Sequence, residues 1–379
     1  MRLDTEFIKL PFLYDVEQLQ KEVAQFSDSM WIPHPLGFAG NLSIPLISMN
    51  GEINDAMCGP MKVTPALQQS PYIKQVIAQL GNVCGRSRLM RLEPGAEVPR
   101  HSDLNYHWHK HIRIHIPIFT DPQVDFWCAD KKVNMAAGEC WIFDTFKSHI
   151  VENKSQKTRI HLVIDGYGSP DFWRVVDQSE KPFAKDSLSS IKPEFVTFQP
   201  NSAFEIKTER YNAPIVLNPG EIEGLALNLI VDAKNNPQNS SADIHSCEQI
   251  LRFFCYRWRE IWALHGSSPS SWRYYRQALE SLKVDAQNIK GKIMLASNGG
   301  DIMFPLFGHI INNAVNSHLY EDYQKMTQNI TLSESSFVVT DTPVDVNDSV
   351  HSKPKQAKMH RNDICYCGSG KRYKHCHGQ

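Results

Sequence analysis

Apolar residues recur at helical spacing from Val16 to Phe26 (Val16, Leu19, Val23, Phe26), and again from Ile73 to Leu80, where Gly81 ends the run. From Arg86 the period changes. Arg88 to Leu92 is followed by the turn signal Pro94-Gly95. Ile112, Ile114, Ile116 and Ile118 alternate strictly with other residues, which predicts a half-buried strand. Val124 to Cys128, Cys140 to Phe143 and Ile160 to Ile164 add further short candidates. Short strands at close spacing between turns predict a sandwich or barrel over roughly Arg86 to Asp165.

After Tyr167 the pattern shifts. Ile250, Leu251, Phe254, Cys255, Trp258, Ile261 and Trp262 form one helical stripe. Trp272, Tyr275, Leu279 and Leu282 form a second, and Phe307, Ile310, Ile311, Ala314 and Val315 a third. These predict helices over roughly 240–325, with the aromatics as core. Residues 331–360 are rich in Ser, Thr, Asp, Val and Lys with few large apolar groups, which predicts a flexible linker. The expected fold class is α+β, with a β core in 1–170, a mainly helical domain in 171–330, the linker 331–360, and a small C-terminal motif in 361–379.

Composition narrows the function classes. Lys plus Arg number 40 against 41 acidic residues, so neither specific DNA binding nor an acidic membrane surface is expected as partner. No stretch approaches the length of a membrane span, and the N-terminal residues hold no apolar run of signal-peptide length. Of nine cysteines, three crowd the last fifteen residues and the rest are scattered, which points to a reducing compartment and a terminal metal site. A cytoplasmic location is expected.

The chemistry-bearing segment is Pro99-Arg-His101-Ser-Asp103. Residues two apart on extended backbone point to one side, so His101 and Asp103 can reach a common ion. His149, just after the Cys140–Asp144 strand, is the third candidate. Two imidazoles and one carboxylate on one face make the facial triad of non-haem iron(II) oxygenases, with positions open for a chelating co-substrate and dioxygen. Arg159 follows ten residues later on the next strand. A guanidinium inside a barrel requires an anion and suits the far carboxylate of 2-oxoglutarate. His107, His109 and His111 are expected in a loop before the Ile112 strand, as loop or substrate-facing residues rather than ligands. His161 is left without a role.

The order and spacing of Glu93-Pro-Gly95, His101, Arg113-Ile-His115, Gly138, Phe143-Asp144, His149 and Arg159 to Asp165 resemble the aspartyl/asparaginyl β-hydroxylase family of 2-oxoglutarate oxygenases. The resemblance covers about eighty residues. It implies a double-stranded β-helix (jelly-roll, cupin-like) core and oxidative decarboxylation of 2-oxoglutarate. It also implies that Arg159 holds the distal carboxylate, with Arg113 and His115 as further co-substrate contacts. Asp103 makes the chain more similar to the bacterial free-proline hydroxylases, since the animal aspartyl hydroxylases keep the two histidines without the carboxylate. Met90 departs from a polar residue in the animal enzymes.

The C-terminal run Cys365-Tyr-Cys367-Gly-Ser-Gly-Lys-Arg-Tyr-Lys-His-Cys376-His377 offers a tetrahedral zinc set. It resembles the SEC-C motif, known from the SecA translocation ATPase, and the resemblance implies Cys365, Cys367, Cys376 and His377 as ligands of Zn(II). Four protein ligands leave no open position, so this is a structural module. It is expected to bind a protein partner or a ribosome. The function expected of the whole is an Fe(II)- and 2-oxoglutarate-dependent hydroxylase of an amino acid or a polypeptide. The alternative is a non-catalytic adaptor that docks through its zinc motif.

Overall fold

A computed structural model describes residues 2–184 and 192–334, with side chains as far as residue 327. The chain opens with β1 (Phe7–Tyr14), α1 (Val16–Val23), β2 (Ile32–Pro33), β3 (Asn41–Met49), β4 (Met61–Val63), α2 (Pro65–Gln68) and α3 (Pro71–Gln79). Eight strands follow: β5 (Cys84–Leu92), β6 (Glu97–His101), β7 (Ile112–Phe119), β8 (Val124–Cys128), β9 (Lys131–Val133), β10 (Glu139–Phe143), β11 (His149–Asn153) and β12 (Arg159–Gly166). One short helix, α4 (Tyr106–Lys110), interrupts them. Next come α5 (Pro170–Asp177), β13 (Glu194–Val196), and the long helices α6 (Pro219–Lys234), α7 (Ser241–His265) and α8 (Trp272–Ala286).

The eight strands divide into two sheets. Strands β10, β7, β12 and β5 are neighbours in the larger sheet, and β6, β11, β8 and β9 make the smaller one. That order, with the chain crossing between the sheets, is a double-stranded β-helix of the jelly-roll class. Flanking strands widen the larger sheet to nine, through β1 and β13 beside β10 and through β3, β2 and β4 beside β5.

Strand alternation explains how the larger sheet is used. Ile112, Ile114, Ile116 and Ile118 turn to its outer face and pack with Leu19 and Val23 of α1 and Ile73, Val76 and Ile77 of α3. The other positions of β7, Arg113 and His115, turn inward between the sheets. The polar half of the alternating pattern therefore faces an enclosed interior instead of bulk water. Helix placement on the outer face is fixed by buried Glu22, whose two carboxylate oxygens accept from the orphan N–H groups of Tyr72 (2.7 Å) and Ile73 (2.9 Å) at the start of α3.

The helical region has its own apolar cluster. Leu225 and Leu229 of α6, Leu251 and Trp258 of α7, and Tyr275 and Leu282 of α8 are its centre. Trp258 is buried with its indole N–H donating to Leu217 O at 2.8 Å, so the ring is packed without an orphan donor. Ser240 caps α7 by accepting from Asp243 N, and Gly266, at φ 59°, ends it. The stripe Phe307 to Val315 is helical only in part: Leu306–Ile311 is a π-helical turn. Among the described residues no helix is long and apolar enough to cross a membrane. The expected linker 331–360 lies almost wholly outside the described residues, apart from the end of the helix Tyr320–Glu334.

Candidate metal centre

The smaller sheet brings the two histidines together. β6 and β11 run antiparallel with His101 directly opposite His149, and their ring centroids are 4.1 Å apart. Asp103 follows two residues after β6, and its N–H donates to Thr145 O at 2.9 Å, which ties this stretch to the turn before His149. One ligand atom from each of His101, Asp103 and His149 lies within 4.8 Å of the other two. His101 Nε2 is 3.8 Å from Asp103 Oδ1, too far for a hydrogen bond and suited to a shared ion.

Both imidazoles are oriented by their second nitrogen. His101 Nδ1 lies 2.7 Å from Pro99 O, and His149 Nδ1 lies 2.9 Å from Lys147 O. A carbonyl only accepts, so each Nδ1 carries the proton and each Nε2 keeps a free lone pair. His149 is buried, and its Nε2 has no hydrogen-bond partner among the described residues. Burial pushes its imidazole down to about 4, which favours the neutral form a metal needs. The donor set fits a divalent transition metal with three open positions.

The triad lines a cavity of about 350 Å³ between the two sheets. Arg159, at the start of β12, enters the same cavity and is 4% exposed. Its one described polar contact is a donation to His161 Nδ1 at 2.7 Å; its Nε has none, and no carboxylate pairs with it among the described residues. Burial pushes the guanidinium down to about 9. His115 lines the cavity beside Phe126 and Phe143 and reaches His161 at 3.4 Å through Nδ1. Arg113 also lines it, stacked on Trp108 at 4.0 Å. It bridges Asp165 (3.2 Å) and Asp103 (3.4 Å), so its charge is already opposed.

Residues 18–168 match the family model described as aspartyl/asparaginyl beta-hydroxylase. Over these residues, less than half of the chain, the protein is similar to that family. The hydroxylase domain is similar in structure to a Pseudomonas putida prolyl-4-hydroxylase, at 15% identity, 44% of this chain, 94% of that chain and a TM-score of 0.30. It is also similar to a prolyl hydroxylase from Trichoplax adhaerens solved with a hypoxia-inducible-factor peptide fragment, at 11% identity, 44% of this chain, 84% of that chain and a TM-score of 0.31. Residues 361–379 match the SEC-C motif. There the chain is 53% identical over 36 residues to the protein translocase subunit SecA of Pseudomonas fluorescens (strain Pf0-1), covering 10% of this chain. The chain spans only 4% of the length of that curated relative. The ligands read there, Cys365, Cys367, Cys376 and His377, lie outside the described residues.

The hydroxylase domain also holds site residues that the pattern did not single out. Arg86 and Arg88 face the cavity from β5, and Asp55, from the segment between β3 and β4, binds both. Their i, i+2 spacing was the available signal, but Arg86-Ser-Arg88 reads equally as a solvated strand face. Asp165 was legible only as the end of a strand; burial notwithstanding, Arg113 and Arg86 hold its carboxyl well below the usual range. The histidine run is not a loop. His107 and His109 lie on α4, whose start Asn105 caps by accepting from Trp108 N. His107 and His111 stack at 3.7 Å, with His111 Nε2 2.6 Å from Glu209.

Proposed function

We propose that the hydroxylase domain is an Fe(II)- and 2-oxoglutarate-dependent dioxygenase acting on an amino acid, either free or as an Asp-, Asn- or Pro-type residue of a polypeptide. The observation that carries this reading is Arg159: a buried guanidinium without a carboxylate partner among the described residues, inside the cavity that the three convergent ligand atoms also line. An unpaired buried charge is costly, so an anion belongs there. An adaptor that only docks partners has no use for that arrangement.

His101, Asp103 and His149 would hold the iron, and Arg159 the distal carboxylate of the co-substrate by a bidentate pair. When bound, the pair supplies the coupling of dioxygen to hydroxylation of a C–H bond, with release of succinate and carbon dioxide. The protein's part is positional. Pro99 O and Lys147 O fix the imidazole tautomers, and Arg113 orients Asp103 while leaving its Oδ1 toward His101. Arg159 sets the direction of the co-substrate. Phe126, Phe143 and Val151 keep the cavity wall apolar and exclude water. His115 lines this wall and would serve as a further co-substrate contact.

Anaerobic loading with iron(II) and 2-oxoglutarate, followed by oxygen and measurement of succinate, tests the reading. His149→Ala should lose metal binding and bring succinate to background. Turnover equal to wild type in that variant would sink the assignment.

For the C-terminal motif we propose zinc held by Cys365, Cys367, Cys376 and His377, with the motif tethering a cytoplasmic enzyme to a protein or ribosome partner. Its match to the SEC-C model supports this. We also retain the division at 170, 330 and 360 as the domain plan. Removal of 361–379 should spare turnover on a small substrate and abolish co-sedimentation with ribosomes or partner; unchanged co-sedimentation refutes the tether.

A further inference from the structure

The cavity is unevenly charged. Four guanidinium groups, those of Arg86, Arg88, Arg113 and Arg159, line it. The carboxylates set against them are Asp55, Asp103 and Asp165. Glu209, behind Gly85, is taken up by His111 (2.6 Å) and Asn212 (2.9 Å) and does not line the cavity. An iron(II) ion and a doubly charged 2-oxo acid would add equal and opposite charge, so one positive charge would stay unopposed in a buried site.

Strand register shows where. Leu92 pairs with Arg159, whereas Arg88 pairs with Val163, four residues along β12. At the rise of an antiparallel strand that is about 13 Å. An anion seated on Arg159 therefore leaves the Arg86–Arg88 pair untouched. Both arginines are buried, and Asp55 brackets them: its carboxylate accepts from Arg88 at 2.5 Å and lies 2.9 Å from Arg86 Nη1, while its backbone oxygen accepts from Arg86 at 3.1 Å. Asp165 Oδ2 also lies 3.5 Å from Arg86 Nε, but Arg113 shares that carboxylate, so with Asp103 committed to an iron ion, Asp55 and Asp165 together oppose three guanidiniums, those of Arg86, Arg88 and Arg113. Leu36, Phe38 and Met57 line the same cavity and give the body of a substrate an apolar wall.

We propose that Arg86 and Arg88, aimed by Asp55, form a subsite for a carboxylate carried by the substrate, beyond the one that Arg159 holds. This deepens the oxygenase reading and rests on it. The carboxylate comes either from the α-carboxyl of a free amino acid or from an acidic side chain within a peptide, and one experiment separates the two. The full chain is loaded anaerobically with iron(II) and 2-oxoglutarate, and 2-oxoglutarate affinity is read from the visible charge-transfer band. The twenty free amino acids are titrated against their α-amides, and aspartyl and glutamyl peptides against their asparaginyl and glutaminyl counterparts, by calorimetry and by succinate release.

One acid series should bind about tenfold or more tightly than its neutral partner, the scale of one charge-assisted pair. That preference should vanish in Arg88→Gln, with 2-oxoglutarate affinity held within about twofold, since Arg159 is remote. Asp55→Asn, which enlarges the positive surplus, should strengthen the acid preference and serves if Arg88→Gln does not fold. Equal binding of acid and amide throughout, failure of every acid to bind, or an acid preference that survives Arg88→Gln overturns the subsite. Failure of wild-type protein to bind 2-oxoglutarate instead overturns the reading beneath it.

Discussion

The two large interiors of this protein are built on opposite terms. The space between the β-sheets holds Arg86, Arg88, Arg113, Arg159, His115, His161 and Asp165, all buried or nearly so. The interior of the helical region is lined by Leu225, Leu229, Leu251, Trp258, Tyr275, Leu282 and Leu306, and Asp232 is the buried charged side chain among α6, α7 and α8. Buried charge costs stability, and apolar burial contributes roughly 25 cal/mol per Å². The sandwich tolerates a polar interior because the outer face of its large sheet is apolar and covered by α1 and α3. Stability and chemistry are thus assigned to opposite faces of the same strands. The helical region carries no such double duty.

The largest test of that division is Trp258→Ala. The indole is buried against Phe254 and Tyr275, and its N–H is satisfied, so its loss leaves a cavity and an orphan carbonyl at Leu217. The expected cost is about 3–5 kcal/mol, read by chemical denaturation. Arg159→Met should go the other way. It replaces a buried charge that has no carboxylate partner among the described residues by an apolar side chain of similar length. By analogy with buried ion pairs replaced by apolar residues, stability should rise by about 1–4 kcal/mol. Co-substrate affinity should fall by about 100-fold, the order of a lost bidentate charge pair. A destabilised Arg159→Met would mean that the charge has a partner serving the fold, and the contrast between the two interiors would fail.

The contrast also explains what the sequence could reveal. Ile112 to Ile118 announced their strand because one face is uniformly apolar, and His101, Asp103, His149 and Arg159 were legible because their residue types have few other joint uses. Arg86 and Arg88 were not, because a polar residue on a strand reads as solvent-facing until the second sheet closes over it, and Asp55 was not, because it lies in the irregular segment between β3 and β4. Asp55 and Arg88 are 33 positions apart and meet only through the pairing of β3 with β5. The helix α4 hid for a different reason. Five residues are too short for a periodic signal, and three histidines at spacing two resemble an extended chain.

Contacts between the regions include the Lys110–Glu221 ion pair, the hydrogen bond from Asn298 to Phe146 O, and a close approach at Gly308. A Cβ on Gly308, in the π-helical turn, would lie 1.9 Å from Leu104 O, the residue after Asp103. Backbone cannot yield as a side-chain tip can, so the helical region bears directly on the segment that carries Asp103. Gly308→Ala should cost about 1–3 kcal/mol from overpacking and lower manganese or iron affinity about tenfold, about the scale of a disturbed ligand-supporting contact. A double-mutant cycle separates the two effects. In an Asp103→Ala background the affinity loss should disappear while the stability loss remains. An equal affinity loss in both backgrounds would show that the helical region supports the fold without setting the ligand.

The smallest expected effect lies far from the site and checks the other half of the contrast. Ser240 accepts from Asp243 N at 3.1 Å and opens α7, the longest helix of the apolar region. Ser240→Ala removes that acceptor at an exposed end, where water can replace it in part. The expected cost is about 1 kcal/mol, with metal and 2-oxoglutarate affinities unchanged. Because α7 contributes nothing to the cavity lining, its stability can be lowered by this step without touching the chemistry. A shift in co-substrate affinity with Ser240→Ala would show that the helical layer and the sandwich respond as one element, and that the polar interior depends on the apolar one beyond Gly308.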